Sequence, residues 1–525
     1  MSRLVSRLAS RPDAVPLLAA AMLLLLGAQV ALVFKVPSWG NDEPAHMGYV
    51  ASLAEGRLPT IETDIVDDPA RFPGTAEELR GWDEEHGDVW TANHPPLFPL
   101  AMVPVWWALS DHQSAMVITM RLANTLGFAF WLYLVGALAR ELVPRRPAVA
   151  ALAVVVAAAP TLVLRSAFFQ NDGWASASAV LLFLVTVRMV RDRVTPQRVA
   201  VAAAAGTVAV GMRTQGVLVV ALCALTLLVV LWRRWGPTGP GRCRAAAVAA
   251  VVGVVPAAAF GWFFVRNLLL YGDLTGQAAL LEKFERSPVT SWAGIADIPG
   301  VVEPIAATPI PLVVALVLVP AALVGSVRRH GVRPDPVWIL LGVHAALTLH
   351  SVVGFLRVGG GLHDRYLMQS MPVLATAVAV GMLGVGRWWA AAAPGTPAAE
   401  RRDWWVASAW SAVLLAWLAG TLAWLLHHHV FSRQASSPVD GPVPDVLAVL
   451  GACAGAAVLA VLVRSARGMT VQPTASRAGP TTRSSATRTW PREDLLDGGP
   501  PSTVDVRSIS ARRRPRGRRS PAPRA

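Results

Sequence analysis

Apolar runs long enough to cross a bilayer recur along the whole chain, separated by short charged segments. They fall at residues 14–34, 113–139, 148–164 and 174–190, with two more packed into 199–232 around a polar break at Arg213-Thr214-Gln215. Others follow at 245–265, 309–327, 337–356, 367–386, 404–426 and 443–463. A helix needs roughly 17 to 25 apolar residues to span the hydrocarbon, so the pattern predicts an all-α polytopic membrane protein with about twelve transmembrane helices. Residues 97–110 are apolar but too short to span. They predict an interfacial helix, with Trp106 and Trp107 at headgroup level. No small-residue cleavage site follows the first run, which predicts a retained helix rather than a removed signal peptide.

Composition agrees with this reading. The 525 residues are 54% hydrophobic and only 15% charged, which excludes an ordinary soluble domain. The formal charge of +14 points to orientation rather than nucleic acid, because most of it lies in the short loops and the tail, where arginine marks the cytoplasmic side. Arg3, Arg7 and Arg11 precede the first run and set the N-terminus (1–13) inside. Residues 41–94 then emerge outside with thirteen acids against three arginines. The same parity places Arg140, Arg145 and Arg146, the loops 188–198, 233–244, 328–333 and 387–402, and the tail inside. Three parts result: the N-terminus, a multi-pass domain over 14–463 whose first external loop (35–112) carries juxtamembrane helices, and a basic tail over 464–525. The tail holds fourteen Arg against four acids without apolar periodicity, and is expected to be disordered. Cys223, Cys243 and Cys453 lack metal-ligand spacing. His427, His428 and His429 are consecutive, so on a helix they point in different directions rather than around one ion.

Once the crossings are fixed, Asp42, Glu43, His46, His94, Arg165, Asn171, Asp172, Arg213, Arg266, Asp273, His363, Asp364 and Arg365 all map to external loops or external helix ends. Ionisable groups at a membrane face are costly unless they line a polar cavity, so their convergence marks a candidate site. Plainer readings stand beside it. Asp42 fits a helix cap, with Pro44 in the first turn, Glu43 held out of helical geometry by that proline, and Gly56 closing the far end. Asp172 fits a cap for the helix at Trp174, and the arginines fit snorkelling helix ends.

Acids and arginines together on the outer face suit sugar transfer from a lipid phosphate: a carboxylate takes the proton of an acceptor hydroxyl while guanidinium groups hold the departing phosphate. The motif Asn41-Asp42-Glu43-Pro44-Ala45-His46, with Tyr49 and Glu55-Gly56-Arg57-Leu58-Pro59, is similar to the acidic first-loop motif of the membrane-embedded GT-C glycosyltransferases. The similarity is to the branch of protein O-mannosyltransferases and aminoarabinose transferases (glycosyltransferase family 39-like). His94-Pro95-Pro96-Leu97 resembles their proline-rich lead-in to a juxtamembrane helix, and Arg121 with Asn124 the start of their second crossing. Gln170-Asn171-Asp172 resembles their second acidic position. Arg266-Asn267 through Tyr271-Gly272-Asp273, and His363-Asp364-Arg365-Tyr366, resemble patterns in less characterised relatives. Arg213 departs from the family, where a lysine often stands, and the C-terminal part lacks a large external domain.

What the resemblance implies is an external active site that takes a sugar from a polyprenyl-phosphate donor, usually with inversion, and gives it to an extracytoplasmic acceptor. On that reading Asp42 is the general base, and Glu43 and Asp172 position polar groups. Arg266, Arg213 and Arg365 bind the donor phosphate; His46, Tyr49, His94, Asn171, Asp273 and His363 shape the site. Neighbouring carboxylates leave a divalent cation open as a cofactor. The other classes are a transporter or flippase for a lipid-linked or anionic solute and a non-catalytic scaffold of the cell envelope. A transporter site is expected near the midplane within a repeat, whereas these charges gather at one face.

Overall fold

The computed structural model describes residues 11, 13–34, 42–65, 88–236, 239–291, 294, 335–361, 364–388, 396–427 and 441–468. The helices are α1 (Ala14–Val33), α2 (Glu43–Ala54), α3 (Leu97–Leu109), α4 (Gln113–Leu142), α5 (Pro147–Ala157), α6 (Pro160–Ser166), α7 (Asp172–Arg191) and α8 (Pro196–Met212). They continue with α9 (Gly216–Arg234), α10 (Gly239–Tyr271), α11 (Gln277–Lys283), α12 (Pro336–Arg357), α13 (Met371–Trp388), α14 (Pro397–Leu426) and α15 (Val443–Gly468). Two 3-10 turns, Trp90–Asn93 and Asp364–Leu367, lie beside them. Among the described residues the only strand-like pairing is one isolated bridge between Asp64 and Asp88.

Eight described helices are long and apolar enough to cross a membrane, or nine if α5 and α6 count as one span. The expected run at 309–327 and the tail beyond residue 468 lie outside the described residues. The uninterrupted crossing expected at 148–164 is corrected: α5 and α6 meet at a 61° bend. Pro160 opens α6 and has no N–H to donate to the preceding turn, so the helix breaks at Ala158-Ala159. The polar interruption at 213–215 does separate α8 from α9. The 245–265 run extends further than expected, to Tyr271, so Arg266 sits on a helix rather than in a loop.

Helix α4 runs through the bundle against α1, α5 and α7. Gly127 lets α4 and α7 approach closely, because a Cβ there would lie 2.8 Å from the Trp174 ring and 2.9 Å from its backbone nitrogen. The outer helices α10, α12 and α15 leave large apolar side chains such as Val254, Leu269, Leu349 and Val449 exposed, as befits faces turned to lipid.

The helix directions sort the polar residues to two ends of the bundle. At one end the arginines of the short loops pair with acids: Arg140 with Asp13, Arg188 with Glu141 at 2.8 Å, Arg191 with Asp335 at 2.8 Å, and Arg146 with Asp403 at 3.1 Å. At the other end, the C-termini of α1, α8 and α10 meet the N-termini of α4 and α7, and α2 and α3 lie across them. Met47, Val50, Phe98, Trp106, Met116, Met120 and Phe169 form a second apolar cluster there, beneath α2 and α3. Trp106, expected at headgroup level, is wholly buried in this cluster. Trp107 is the exposed member of the pair and donates to the Ala54 carbonyl at 3.2 Å.

Candidate active site

The adjacent acids Asp42 and Glu43 have different fates. Glu43 begins α2 despite the following proline, which corrects the expectation of non-helical geometry, and its side chain has no exposure. Its oxygens accept from Arg121 Nε at 2.8 Å and Nη2 at 2.7 Å, and Oε1 also accepts from the Phe169 backbone N–H at 2.9 Å. Arg121, itself fully buried, donates from Nη1 to the carbonyls of Ala31 and Phe34 at 3.0 and 2.9 Å. The clasp joins the ends of α1, α2, α4 and α6. Glu43 therefore faces inward, its carboxylate engaged by Arg121 and the Phe169 N–H.

Asp42 precedes α2 with a left-handed backbone (φ 56°) and makes no capping hydrogen bond, so the cap reading is not met. Its side chain keeps 30% of its accessible surface. Oδ2 accepts from Arg365 Nη2 at 2.7 Å and Oδ1 from the Trp90 indole N–H at 3.2 Å. Arg365 arrives on the second 3-10 turn. That turn is followed by Met368, whose carbonyl accepts from the Trp131 indole N–H at 3.2 Å, and by Ser370, whose hydroxyl lies 3.2 Å from His344 Nδ1.

Arg365 also reaches Asp172, with Nη1 3.7 Å from Oδ2, and Arg213 forms an ion pair with Asp172 Oδ1. Asp172 is the first residue of α7 and Arg213 terminates α8. Asn171 fastens these two ends by donating to the Met212 carbonyl at 2.6 Å; it too makes no capping hydrogen bond. Asp42, Arg365, Asp172 and Arg213 thus form a continuous chain of alternating charge drawn from four segments. His46 and His94 lie within the field of Asp42, Arg213 and Arg365.

The remaining expected residues sit around this centre. Tyr49 is buried and donates to the His94 carbonyl at 3.0 Å, holding the turn into α3. Arg266 donates to the Pro59 carbonyl and stands over the Phe263 ring, so it braces the segment after α2 rather than joining the four-residue chain. Asp273 organises its own loop, accepting from Thr275 at 2.7 Å and from Ala278 N at 3.1 Å. His363 lies outside the described residues. Trp90 was not anticipated, because a tryptophan in an acidic loop carries no motif. Asn93 was missed as well, and Asn267 was quoted only as part of a motif: Asn267 donates to the Asn93 carbonyl at 3.0 Å and Asn93 to the Thr275 carbonyl at 3.1 Å, tying the Trp90 turn to α10.

The electrostatics follow from this geometry. Burial alone would raise the Asp42 pKa, but Arg365, His46 and the Trp90 hydrogen bond together hold it well below the usual carboxylate range. Burial would likewise lower Arg365, yet the Asp42 carboxylate keeps it firmly protonated. Arg213 is lowered to about 10 by burial and by Arg365. Burial lowers His46 to about 3 against the pull of Asp42. Burial and Arg213 hold His94 well below its ordinary value. Burial raises the Tyr49 phenol.

One consequence can be measured. Unfolded His46 protonates near 6.5 and the folded residue near 3, so between those values the unfolded state binds more protons. The stability is present above the unfolded pKa and is lost as pH falls through this window. Thermal midpoints of the full-length protein should therefore fall from about pH 6.5 downward, and His46→Phe should flatten the slope. An unchanged slope would show that His46 binds its proton alike in the folded and unfolded states.

The described side chains of the site offer no ready set of ligands for a divalent cation. Among the described residues no three His, Cys, Asp or Glu side chains converge on one point. The two carboxylates that share the site are already bridged by guanidinium groups, whose positive charge opposes a metal ion.

Fold and site define a polytopic membrane protein with a charged, partly accessible centre at one end of its helix bundle. No protein-family model and no curated protein matches the chain. Among solved structures it is similar to ArnT from Cupriavidus metallidurans bound to undecaprenyl phosphate, at 15% identity and TM-score 0.44, over 86% of this chain and 77% of that one. It is similar to the oligosaccharyltransferase AglB from Archaeoglobus fulgidus, in complex with an inhibitory peptide and a dolichol-phosphate, at 12% identity and TM-score 0.41, over 85% and 55%. It is also similar to the arabinosyltransferase EmbB from Mycobacterium smegmatis, at 14% identity and TM-score 0.41, over 85% and 41%.

Proposed function

We propose that the chain is a membrane glycosyltransferase that moves a sugar from a polyprenyl-phosphate donor in the bilayer to an extracytoplasmic acceptor. The carrying observation is the partly accessible Asp42 side chain bound to Arg365, which is itself linked through Asp172 to Arg213. In this reading Asp42 takes the proton of the acceptor hydroxyl as its oxygen bonds to the anomeric carbon. The bond from that carbon to the phosphate oxygen breaks, with inversion, and the phosphate leaves carrying the electron pair. Arg365 and Arg213 neutralise the charge that develops on it, a role suited to planar guanidinium donors. Asp172, buried between them, sets their spacing.

Arg365 couples the two halves of the reaction. At rest it holds Asp42 ionised but weakly basic. When a donor phosphate draws the guanidinium away, Asp42 loses its nearest positive charge and becomes a stronger base, so basicity rises only once a donor is seated. The charge pattern of the loops favours the extracytoplasmic side for this end.

The test uses the full chain in lipid nanodiscs with polyprenyl phosphate carrying a radiolabelled sugar, following loss of label from the lipid. Arg365→Gln should lower kcat/KM for the donor about ten- to a hundredfold, as expected for a lost charge-assisted hydrogen bond. Unchanged donor kcat/KM would remove Arg365 from phosphate binding.

A further inference from the structure

Two imidazoles in the site make no hydrogen bond to the protein. His46 is 2% exposed on α2, and His94 leads into α3; the Nδ1 atom of each is buried without a partner. The His46 ring and the His94 backbone are nevertheless held in place. His46 lies in the first turns of its helix, edge-on to the Phe169 ring with centroids 5.9 Å apart. The His94 backbone is fixed on both sides, its N–H donating to Thr91 at 2.9 Å and its carbonyl accepting from Tyr49. Buried polar atoms in native structures are nearly always paired, and leaving one unpaired costs stability. Two such atoms, from segments far apart in sequence and within the field of the same carboxylate, are polar positions open to a bound molecule.

Their chemistry selects that molecule. An uncharged imidazole offers one donor and one acceptor. A hydroxyl offers the same and matches it; a phosphate offers acceptors alone, an ammonium donors alone. Anions also have better partners nearby in Arg213 and Arg365. We infer that His46 and His94 form a hydroxyl-recognition subsite beside Asp42, which takes the ring hydroxyls of an uncharged sugar. The inference rests on the glycosyltransferase reading and narrows its substrate to neutral rather than amino or acidic sugars. The ring in question belongs either to the donor or to the acceptor.

Binding to the full chain in nanodiscs tests it. The probes are bare polyprenyl phosphate, the same lipid carrying arabinose, mannose, glucose or galactose, the lipid carrying an aminosugar, and the methyl glycosides of the neutral sugars as acceptor stand-ins. Wild-type protein should prefer one neutral-sugar lipid, or bind one methyl glycoside. His46→Phe and His94→Phe should each reduce that preference roughly three- to tenfold, the range for one hydrogen bond, with affinity for the bare lipid unchanged. His46→Asn, whose amide falls where Nδ1 lies, should retain most of it. Loss confined to the glycosylated lipid assigns the subsite to the donor; loss confined to the methyl glycoside assigns it to the acceptor. The subsite alone is overturned if wild-type protein shows no neutral-sugar preference, if both Phe variants keep it, or if bare-lipid binding falls in parallel. Failure of wild-type protein to bind any polyprenyl phosphate overturns the donor reading and the subsite with it.

Discussion

Asp42→Asn is expected to reduce sugar transfer by about 10²- to 10⁴-fold, the usual contribution of a general base, while the protein still inserts and binds donor. The substitution keeps size and shape but removes the proton acceptor. It also removes the nearer of Arg365's two carboxylate partners, at 2.7 Å, so affinity for polyprenyl phosphate should hold or rise as turnover collapses. That opposite movement separates a base from a mere binding residue, whose loss would weaken donor affinity. It also distinguishes Asp42 from Arg365, where Arg365→Gln should weaken donor binding and turnover together. Ordinary turnover by Asp42→Asn, assayed as loss of labelled sugar from the lipid, would take Asp42 out of the base role. Lost turnover accompanied by lost lipid binding would point to a positioning role instead.

The parts of this site legible in the sequence are those that depend on which end of a helix a residue occupies. Counting crossings by their arginine loops put Asp42, Asp172, Arg213 and Arg365 at one end, and the helix ends α7 and α8 and the second 3-10 turn bring them there. The break at Arg213-Thr214-Gln215 was readable because a polar tripeptide interrupts two apolar runs. Which way a side chain points from that end was not readable. Asp42 and Glu43 are neighbours in the motif, yet the left-handed backbone at Asp42 turns one carboxylate to Arg365 and the other to Arg121, seventy-eight positions away. Arg266 and Asp273 look alike in sequence to Arg213 and Asp172, but they are satisfied by Pro59 and by the turn at Thr275. The bend before Pro160 had a visible signal. Hydrophobicity alone runs through it, and the break falls beside the site end of the bundle.

The Glu43–Arg121 clasp carries the largest expected effect on stability. Both side chains are fully buried, and removing one partner of a buried ion pair costs about 3–5 kcal/mol because the other charge is left without compensation. Arg121→Met leaves the buried Glu43 carboxylate without its guanidinium; Glu43→Met leaves the buried guanidinium without its carboxylate. Either single variant should lose most of its monodisperse fraction after mild heating in detergent. The double variant, Glu43→Met with Arg121→Met, removes both charges together and should recover much of the loss, since well-packed apolar replacements of buried pairs are often neutral. The same double variant decides whether Glu43 takes part in the chemistry. A structural anchor predicts that the recovered protein transfers sugar within about tenfold of wild type. A stable double variant with turnover as low as Asp42→Asn would return Glu43 to the reaction, and single variants no less stable than the double would mean that the clasp does not hold the ends of α1, α2, α4 and α6 together.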